Sequence, residues 1–124
     1  MGYKLYGRRQ TGSMAIEAAL CLCRADWVLV DTPRPTADAE RAALYQINPR
    51  GQVPILIHPD GTVITEGPAI LLHLADAYPA ANLAPAPGSS ARAWQDRWLA
   101  FFQANVYEGM LRELTEEVII ETQY

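Results

Sequence analysis

Apolar residues alternate or recur at helical spacing along residues 3–78, and this pattern predicts the element order β-α-β-α-β-β-α. Short β-branched and aromatic runs bounded by turn residues are typical of strands, whereas apolar positions three or four residues apart are typical of helices. The order predicts an α+β domain, a four-stranded mixed sheet with helices on its faces. The predicted elements are strand Tyr3–Tyr6, helix Met14–Arg24, strand Trp27–Val30, helix Ala39–Ile47, strands Val53–Ile57 and Thr62–Thr65 around an Asp60-Gly61 turn, and a helix from Pro68 that ends before Pro79.

A proline- and glycine-rich segment, residues 79–90, separates this domain from a further predicted helix at 92–109. Aromatic residues recur along that helix at helical spacing, and such a stripe is more often a packing face than a ligand site. We therefore divide the chain into a first domain at 1–83, a linker at 84–90 and a helical segment at 91–124. The aromatic residues of the stripe are Trp94, Trp98, Phe101 and Phe102.

Composition and charge exclude several classes of protein. The 124 residues are 50% hydrophobic and 19% charged, which is typical of a chain with a buried core rather than of a disordered one. A net charge of −4 and a pI of about 5.0 argue against a nucleic-acid partner. No apolar run reaches the ~20 residues of a membrane span, and no secretory signal precedes the first strand. We expect a cytoplasmic protein with no membrane partner.

The two cysteines favour buried thiols over a disulfide or a metal site. Cys21 and Cys23 are two residues apart in a predicted helix, so their side chains point to nearly opposite sides. A disulfide between them would break the helix. The same geometry argues against a zinc site shared with His58 and His73. We expect two small buried thiols and no metal ion.

Three segments closely resemble the glutathione-binding domain of cytosolic glutathione transferases. They read Asn-Pro-Arg-Gly-Gln-Val-Pro-Ile-Leu at 48–56, Asp-Gly-Thr-Val-Ile-Thr-Glu-Gly-Pro-Ala-Ile at 60–70 and His-Leu-Ala-Asp-Ala-Tyr-Pro at 73–79. The Glu-Gly pair at 66–67, where other classes have Glu-Ser, is similar to the bacterial beta class. The resemblance covers residues 3–83 and continues into the helix near 92–109. It implies a thioredoxin-like domain followed by an incomplete all-helical domain.

The resemblance also implies a glutathione site, with glutathione as co-substrate and no other cofactor. Val53-Pro54 matches the family's cis peptide bond. That bond would turn the amide and carbonyl of Val53 toward the cysteinyl backbone of glutathione, as in the addition of a strand. Gln52 and Arg50 are candidates for the glycyl end of the ligand. Gln52 is preferred, because the family often places a polar residue just before the Val-Pro pair.

Glu66 and Gly67 match the start of the family's third helix. Free backbone N–H groups at a helix N-terminus attract an anion, here the γ-glutamyl carboxylate of glutathione. Glu66 would bind the ammonium group of the ligand, cap the helix, or do both. Gly67 has no hydroxyl, so a backbone donor must serve where other classes use serine.

Ser13 is predicted to stabilise the glutathione thiolate, with Thr11 as the second candidate. A thiol has an ordinary pKa of about 8.5, and only its thiolate is a good nucleophile. The N-terminus of the first helix and a hydroxyl donor both stabilise that anion. The beta class has a cysteine where this chain has Gly12, which disfavours mixed-disulfide chemistry and favours conjugation. Ser13 as a plain helix cap remains an alternative.

The electrophile site departs from the family pattern. Arg8 and Arg9 replace small or proline-containing residues, and they would either line the entrance or be solvated. Tyr107 and Glu108 stand where beta-class relatives often have a His-Lys pair beside the electrophile. We predict Arg8 and Tyr107 as electrophile-site residues, and the class of the small electrophile stays undefined.

The helical segment decides between two functions. After Leu114 the sequence no longer resembles the family's continuation, and the uncovered aromatic stripe predicts self-association as a homodimer. The first function is a glutathione transferase that conjugates glutathione to a small electrophile. The second is a non-catalytic glutathione-binding or protein-interaction module, which the incomplete helical domain favours.

Overall fold

The computed structural model describes residues 1–111. The chain divides into two compact units, Met1–Leu83 and Ala84–Tyr124, the second of which is described as far as Leu111. The end of the predicted segment 91–124, and the departure from the family pattern after Leu114, lie outside the described residues. The first unit is therefore described throughout, and the second only up to Leu111.

The first unit is built on a four-stranded mixed sheet with strand order β2-β1-β3-β4. The parallel pairing of β1 with β2 is what a short strand–helix–strand unit requires. β3 runs antiparallel to both β1 and β4. β3 begins two residues later than predicted, because Pro54 has no N–H group to donate to a neighbouring strand. The strands are β1 Tyr3–Gly7, β2 Trp27–Asp31, β3 Ile55–Ile57 and β4 Val63–Thr65.

Three helices accompany the sheet: α1 Ser13–Leu22, α2 Asp38–Ile47 and α3 Gly67–Ala77. α1 ends earlier than predicted because Arg24 adopts a left-handed conformation, with a φ of 51°. The Arg24 amide donates to the carbonyl of Cys21 at 3.0 Å and so satisfies one of the free carbonyls at the helix end. A short 3₁₀ turn, Pro79–Ala81, follows α3 within the segment predicted to be irregular.

The core of the first unit forms where α1 and α3 pack together against one face of the sheet. β1 supplies alternate residues to this face, as the pleat of a strand requires, and each helix supplies pairs four residues apart. Burying each leucine or isoleucine side chain contributes roughly 1.5–3 kcal/mol. α2 contributes one buried residue, Leu44. The main core residues are Tyr3, Leu5, Ile16, Leu20, Leu56, Ile70 and Leu74.

The second unit begins with α4, Ser90–Phe101, followed by a π-helical turn, Phe102–Tyr107. Ser89 caps α4 by accepting a hydrogen bond from the Arg92 amide at 3.1 Å, which explains why the helix begins before the predicted residue 92. The aromatic side chains of the predicted stripe are exposed, and the Arg97 guanidinium lies 4.9 and 5.2 Å from the ring centroids of two of them. These aromatic residues are Trp94, Trp98, Phe101 and Phe102.

The structure corrects one prediction about the cysteines. Cys23 is buried, but Cys21 is exposed, so the expectation of two buried thiols is wrong for Cys21. Residues two apart on a helix cannot both face the core. Within residues 1–111, no group of three or more His, Cys, Asp or Glu side chains is placed to hold a metal ion. None of the helices in that part of the chain is long and apolar enough to span a bilayer.

A cluster of aromatic and histidine side chains lies where β1 begins. The Tyr3 hydroxyl is 3.3 Å from Nε2 of His73, and the Tyr3 ring meets the His58 ring edge-on at 5.4 Å between centroids. Burial, with smaller contributions from Tyr78 and other neighbours, raises the pKa of Tyr3 to about 12. Burial lowers the pKa of His73, and the charge interaction with the nearby His58 lowers it further. The neutral forms of both groups are therefore favoured in the folded chain.

We predict that acidification destabilises the first unit through His73. Its pKa is lower when folded than when unfolded, so the unfolded chain binds more protons near pH 6.5 and below. The stabilisation by neutral His73 is complete above the unfolded pKa, and it is lost as the pH falls from about 6.5 through the folded pKa. The opposing influence of Asp60 and Asp76 on the His73 pKa is weaker than that of burial.

Urea unfolding of wild type and His73→Gln at pH 7.5 and 5.5 checks this prediction. Glutamine cannot gain a proton, but it can still accept a hydrogen bond from the Tyr3 hydroxyl. The free energy of unfolding should fall more on acidification in wild type than in His73→Gln. Equal losses in the two proteins would show that His73 does not carry the effect.

Candidate functional site

Three segments meet at the sheet edge opposite the start of β1. Tyr6 pairs with Ile55, and Ile55 pairs with Thr65. The loop after β1, the residues before β3 and the residues after β4 therefore all leave the sheet at this edge. The predicted positions 8–13, 50–54 and 66–67 are thereby brought to the same edge of one domain.

The Val53–Pro54 peptide bond is cis, as the family resemblance implied. Within residues 1–111, no protein group hydrogen-bonds to the amide or the carbonyl of Val53. Pro54 separates Val53 from the first residue of β3. The backbone of Val53 thus presents one donor and one acceptor in the geometry of a strand edge, which an extended peptide can pair with.

The loop before Val53 is held by Asn48, a residue that the sequence reasoning did not assign. The Asn48 side chain donates from Nδ2 to the Gln52 carbonyl at 2.8 Å and accepts from the Arg50 amide at 3.1 Å. Gly51 donates to the Asn48 carbonyl at 2.7 Å and has a φ of +62°. A Cβ atom at Gly51 would lie 2.7 Å from the ring of Tyr45, and the positive φ is a conformation that favours glycine.

Arg50 and Glu66, both predicted to bind glutathione, contact each other. Arg50 Nη1 lies 3.2 Å from Glu66 Oε1, and the two side chains are 60% and 50% exposed. An ion pair this exposed contributes at most about 1 kcal/mol. It therefore brings the cation and the carboxylate together without preventing either from binding a ligand.

The N-terminus of α3 is open. Glu66 occupies the cap position, but its side chain forms no capping hydrogen bond, so the alternative role of Glu66 as a side-chain cap is wrong. Glu66 also has a φ of 71°, a strained conformation for a residue other than glycine. Such strain costs about 1–3 kcal/mol and is concentrated at functional sites. A Cβ atom at Gly67 would meet no atom within 4 Å.

Ser13 is the first residue of α1, and Gly12 holds the cap position without a side-chain hydrogen bond, so the role of Ser13 as a helix cap is wrong. The Ser13 side chain is fully buried. Its Oγ accepts from the Arg8 amide at 3.2 Å and donates to the Arg8 carbonyl at 3.0 Å. A Cβ atom on Gly7 would lie 2.5 Å from this side chain, so Ser13 also packs tightly against β1.

Thr11 lies beside Ser13 but is only partly buried. Its Oγ1 donates to the Arg8 carbonyl at 2.7 Å and lies 2.9 Å from Ser13 Oγ. Both hydroxyl groups therefore donate to the same carbonyl oxygen. The sequence analysis ranks Ser13 above Thr11 as the donor to the glutathione thiolate. The burial of Ser13 does not favour this ranking, since a buried hydroxyl cannot reach a ligand without rearrangement of the loop.

The two predicted electrophile-site residues belong to different units. Arg8 is partly buried, and its Nη1 donates to the Thr32 carbonyl at 3.2 Å, so this guanidinium is not simply solvated. Arg9 is exposed. Tyr107 ends the π-helical turn of the second unit and is exposed. An electrophile site formed by Arg8 and Tyr107 stays a prediction.

The family model "Glutathione S-transferase, N-terminal domain" matches residues 13–77. Glutathione S-transferase GstA of Escherichia coli O157:H7 is 33% identical over 107 residues, which are 86% of this chain and 53% of that protein. The chain therefore spans about half the length of this relative.

Solved structures agree with the family model. The structure of a sphingomonad glutathione S-transferase complexed with glutathione is 35% identical and has a TM-score of 0.75, covering 87% of this chain and 54% of the other. The ternary complex of BphK, a bacterial transferase, is 34% identical with a TM-score of 0.74, covering 85% and 53%. The α+β, thioredoxin-like architecture is thus that of these proteins, and the chain belongs to the glutathione S-transferase family.

Proposed function

We propose that the chain binds glutathione along the sheet edge formed by the loop after β1, Val53 and the start of α3. The observation that carries this proposal is the open backbone of Val53, beside the uncapped N-terminus of α3. Glutathione is an extended peptide with a carboxylate at each end and an ammonium group at one. The sphingomonad relative that was solved with glutathione supports the same ligand.

Each part of glutathione has a complementary group at this edge. The γ-glutamyl carboxylate suits the free amides of Gly67 and Ala69 at the α3 N-terminus. Its ammonium group suits the carboxylate of Glu66. The cysteinyl backbone would pair with Val53, and the glycyl carboxylate would interact with Arg50 or Gln52. The Arg50–Glu66 ion pair would then exchange for two ion pairs with the ligand, at little cost because it is exposed.

We further propose the transferase reaction of the family. The glutathione thiol loses its proton to water, the thiolate forms a sulfur–carbon bond with a small electrophile, and the bond from that carbon to the leaving group breaks, so that the leaving group departs with the electron pair. The N-terminus of α1 and the Thr11 hydroxyl would stabilise the thiolate, which lowers the pKa of the thiol. Arg8 and Tyr107 remain the candidates for contact with the electrophile.

A second candidate function is glutathione binding without turnover, or protein interaction through this fold. The hydroxyl groups of Ser13 and Thr11 both donate to the Arg8 carbonyl, and a hydroxyl that is engaged in this way cannot also donate to a thiolate. This observation favours a binding module. Measured turnover decides between the two functions.

Gly67 offers the sharpest test of glutathione binding, because a side chain there meets open space. Gly67→Asp places a carboxylate beside the proposed carboxylate site, so glutathione affinity should fall at least about tenfold. Gly67→Ser is the matched control and adds the hydroxyl that other classes carry, so its affinity should equal or exceed that of wild type. Titration calorimetry measures both, and equal affinity of all three proteins would overturn the proposed site.

Thr11→Val and Ser13→Ala separate the two candidate hydroxyls. With a generic aromatic halide and glutathione, Thr11→Val should lower turnover about tenfold or more. It should also raise the pKa of the bound thiol, which is measured by the absorbance of the thiolate. Ser13→Ala removes hydrogen bonds that hold the loop, so it should lower the free energy of unfolding by about 1–3 kcal/mol. Thr11→Val could instead leave turnover unchanged, while Ser13→Ala loses more turnover than its unfolded fraction explains. That outcome would make Ser13, and not Thr11, the residue that stabilises the thiolate.

The exposed aromatic side chains of the second unit support a homodimer. A contiguous apolar patch in water favours association, and Trp98 and Phe102 lie 6.0 Å apart between ring centroids on that surface. Sedimentation at micromolar concentration should give a dimer for wild type and a monomer for Trp98→Glu. A monomeric wild type would exclude the dimer. The cytoplasmic location and the absence of a nucleic-acid partner stay predictions.

A further inference from the structure

Asn48 is one of three buried polar or charged residues in the described part of the chain, with 4% of its surface exposed. It follows the last residue of α2, and its own amide donates to the Leu44 carbonyl at 2.9 Å. Its side chain turns away from the helix into the loop that leads to Val53. A buried amide must satisfy its donor and acceptor, and here both partners belong to that loop.

The two hydrogen bonds hold the loop at both ends of its turn. Oδ1 accepts from the Arg50 amide, which fixes the backbone from which the Arg50 side chain reaches Glu66. Nδ2 donates to the Gln52 carbonyl, which belongs to the peptide unit that also contains the Val53 amide. Because a peptide unit is planar, fixing the Gln52 carbonyl also fixes the direction of the Val53 N–H.

Only a side-chain amide of this length offers one donor and one acceptor in this arrangement. Aspartate retains the acceptor for Arg50, but its carboxylate cannot donate to the Gln52 carbonyl. Alanine loses both hydrogen bonds. The contribution of Asn48 can therefore be divided experimentally into the part that reaches Arg50 and the part that reaches Val53.

We propose that Asn48 is a positioning residue of the glutathione site. Its hydrogen bond to the Gln52 carbonyl fixes the backbone of Val53, and its hydrogen bond from the Arg50 backbone amide fixes the position from which the Arg50 side chain extends. The inference rests on the proposed glutathione function, because it assigns Asn48 to the preparation of that site. Asn48 itself touches no ligand atom in this scheme. Its effect is transmitted by the loop between α2 and β3.

The first test is the affinity for S-methylglutathione, a probe whose sulfur cannot ionise, measured by titration calorimetry at a temperature where every variant is folded. Asn48→Ala should weaken binding about tenfold, the loss expected when two ordered hydrogen bonds no longer hold the loop. Leu74→Val is the control, since it loosens the core at the end of α3 opposite Glu66 without touching this loop. Equal weakening in both variants would mean that Asn48 acts only through stability, and the proposal would fail.

The second test is a pH profile, which loss of stability alone would not reproduce. In Asn48→Asp, a protonated carboxyl can donate to the Gln52 carbonyl, whereas the ionised form repels it, and burial favours the protonated form. Affinity of Asn48→Asp for S-methylglutathione should therefore rise as the pH falls from 8 to 5.5, while wild type changes little. A flat profile for Asn48→Asp would contradict the role of Nδ2.

A third measurement tests the role of Asn48 in the loop without any ligand. Amide NMR shifts of Asn48→Ala without ligand should change at Arg50, Val53 and Glu66 and remain unchanged in the core of α1. If wild type binds no S-methylglutathione, the proposed function fails, and this map alone decides whether Asn48 holds the loop. Shifts that leave Val53 unchanged, or that spread through the core, overturn the proposal.

Discussion

The register of β3 between β1 and β4 is the constraint on which the candidate site depends. Tyr6, Ile55 and Thr65 lie side by side across three strands, so the chain segments beyond them leave the sheet at one edge. A slip of one residue would move Leu56 from the face packed against α1 and α3 to the opposite face, and would put Ile55 or Ile57 in its place. Side-chain packing on that face therefore favours the same alignment that brings Val53 and Glu66 to the candidate site.

Polar groups at this edge are arranged around open backbone rather than around a rigid cluster of side chains. Val53 presents a donor and an acceptor, and α3 presents free amides beside the strained residue Glu66. The exposed pairing of Glu66 with Arg50 is weak enough to exchange for interactions with a charged peptide. A peptide bound at this edge would be recognised by the spacing of backbone groups, so the loop that holds Val53 would matter as much as the neighbouring side chains.

The loop after β1 shows the opposite arrangement. Its two hydroxyl groups are satisfied internally by the Arg8 backbone, and Ser13 is tightly enclosed by Gly7. These contacts stabilise the start of α1, but they compete with donation to a thiolate. The proposed ligand binding and the proposed reaction thus depend on different parts of this edge: open backbone at Val53 and α3, and hydroxyl groups that are already engaged at the loop after β1.

The sequence by itself determined the element order and the family resemblance, because periodicity, proline and short motifs act locally. The resemblance in turn implied the cis bond before Pro54 and the segments of the candidate site. It did not determine that Ser13 is enclosed, that Cys21 is exposed or that Asn48 holds the loop before Val53. Burial of a hydroxyl and the partners of an amide depend on residues distant in sequence, as when Gly7 packs on Ser13. Tertiary structure alone decided these features, since only packing brings such groups within contact and removes them from water.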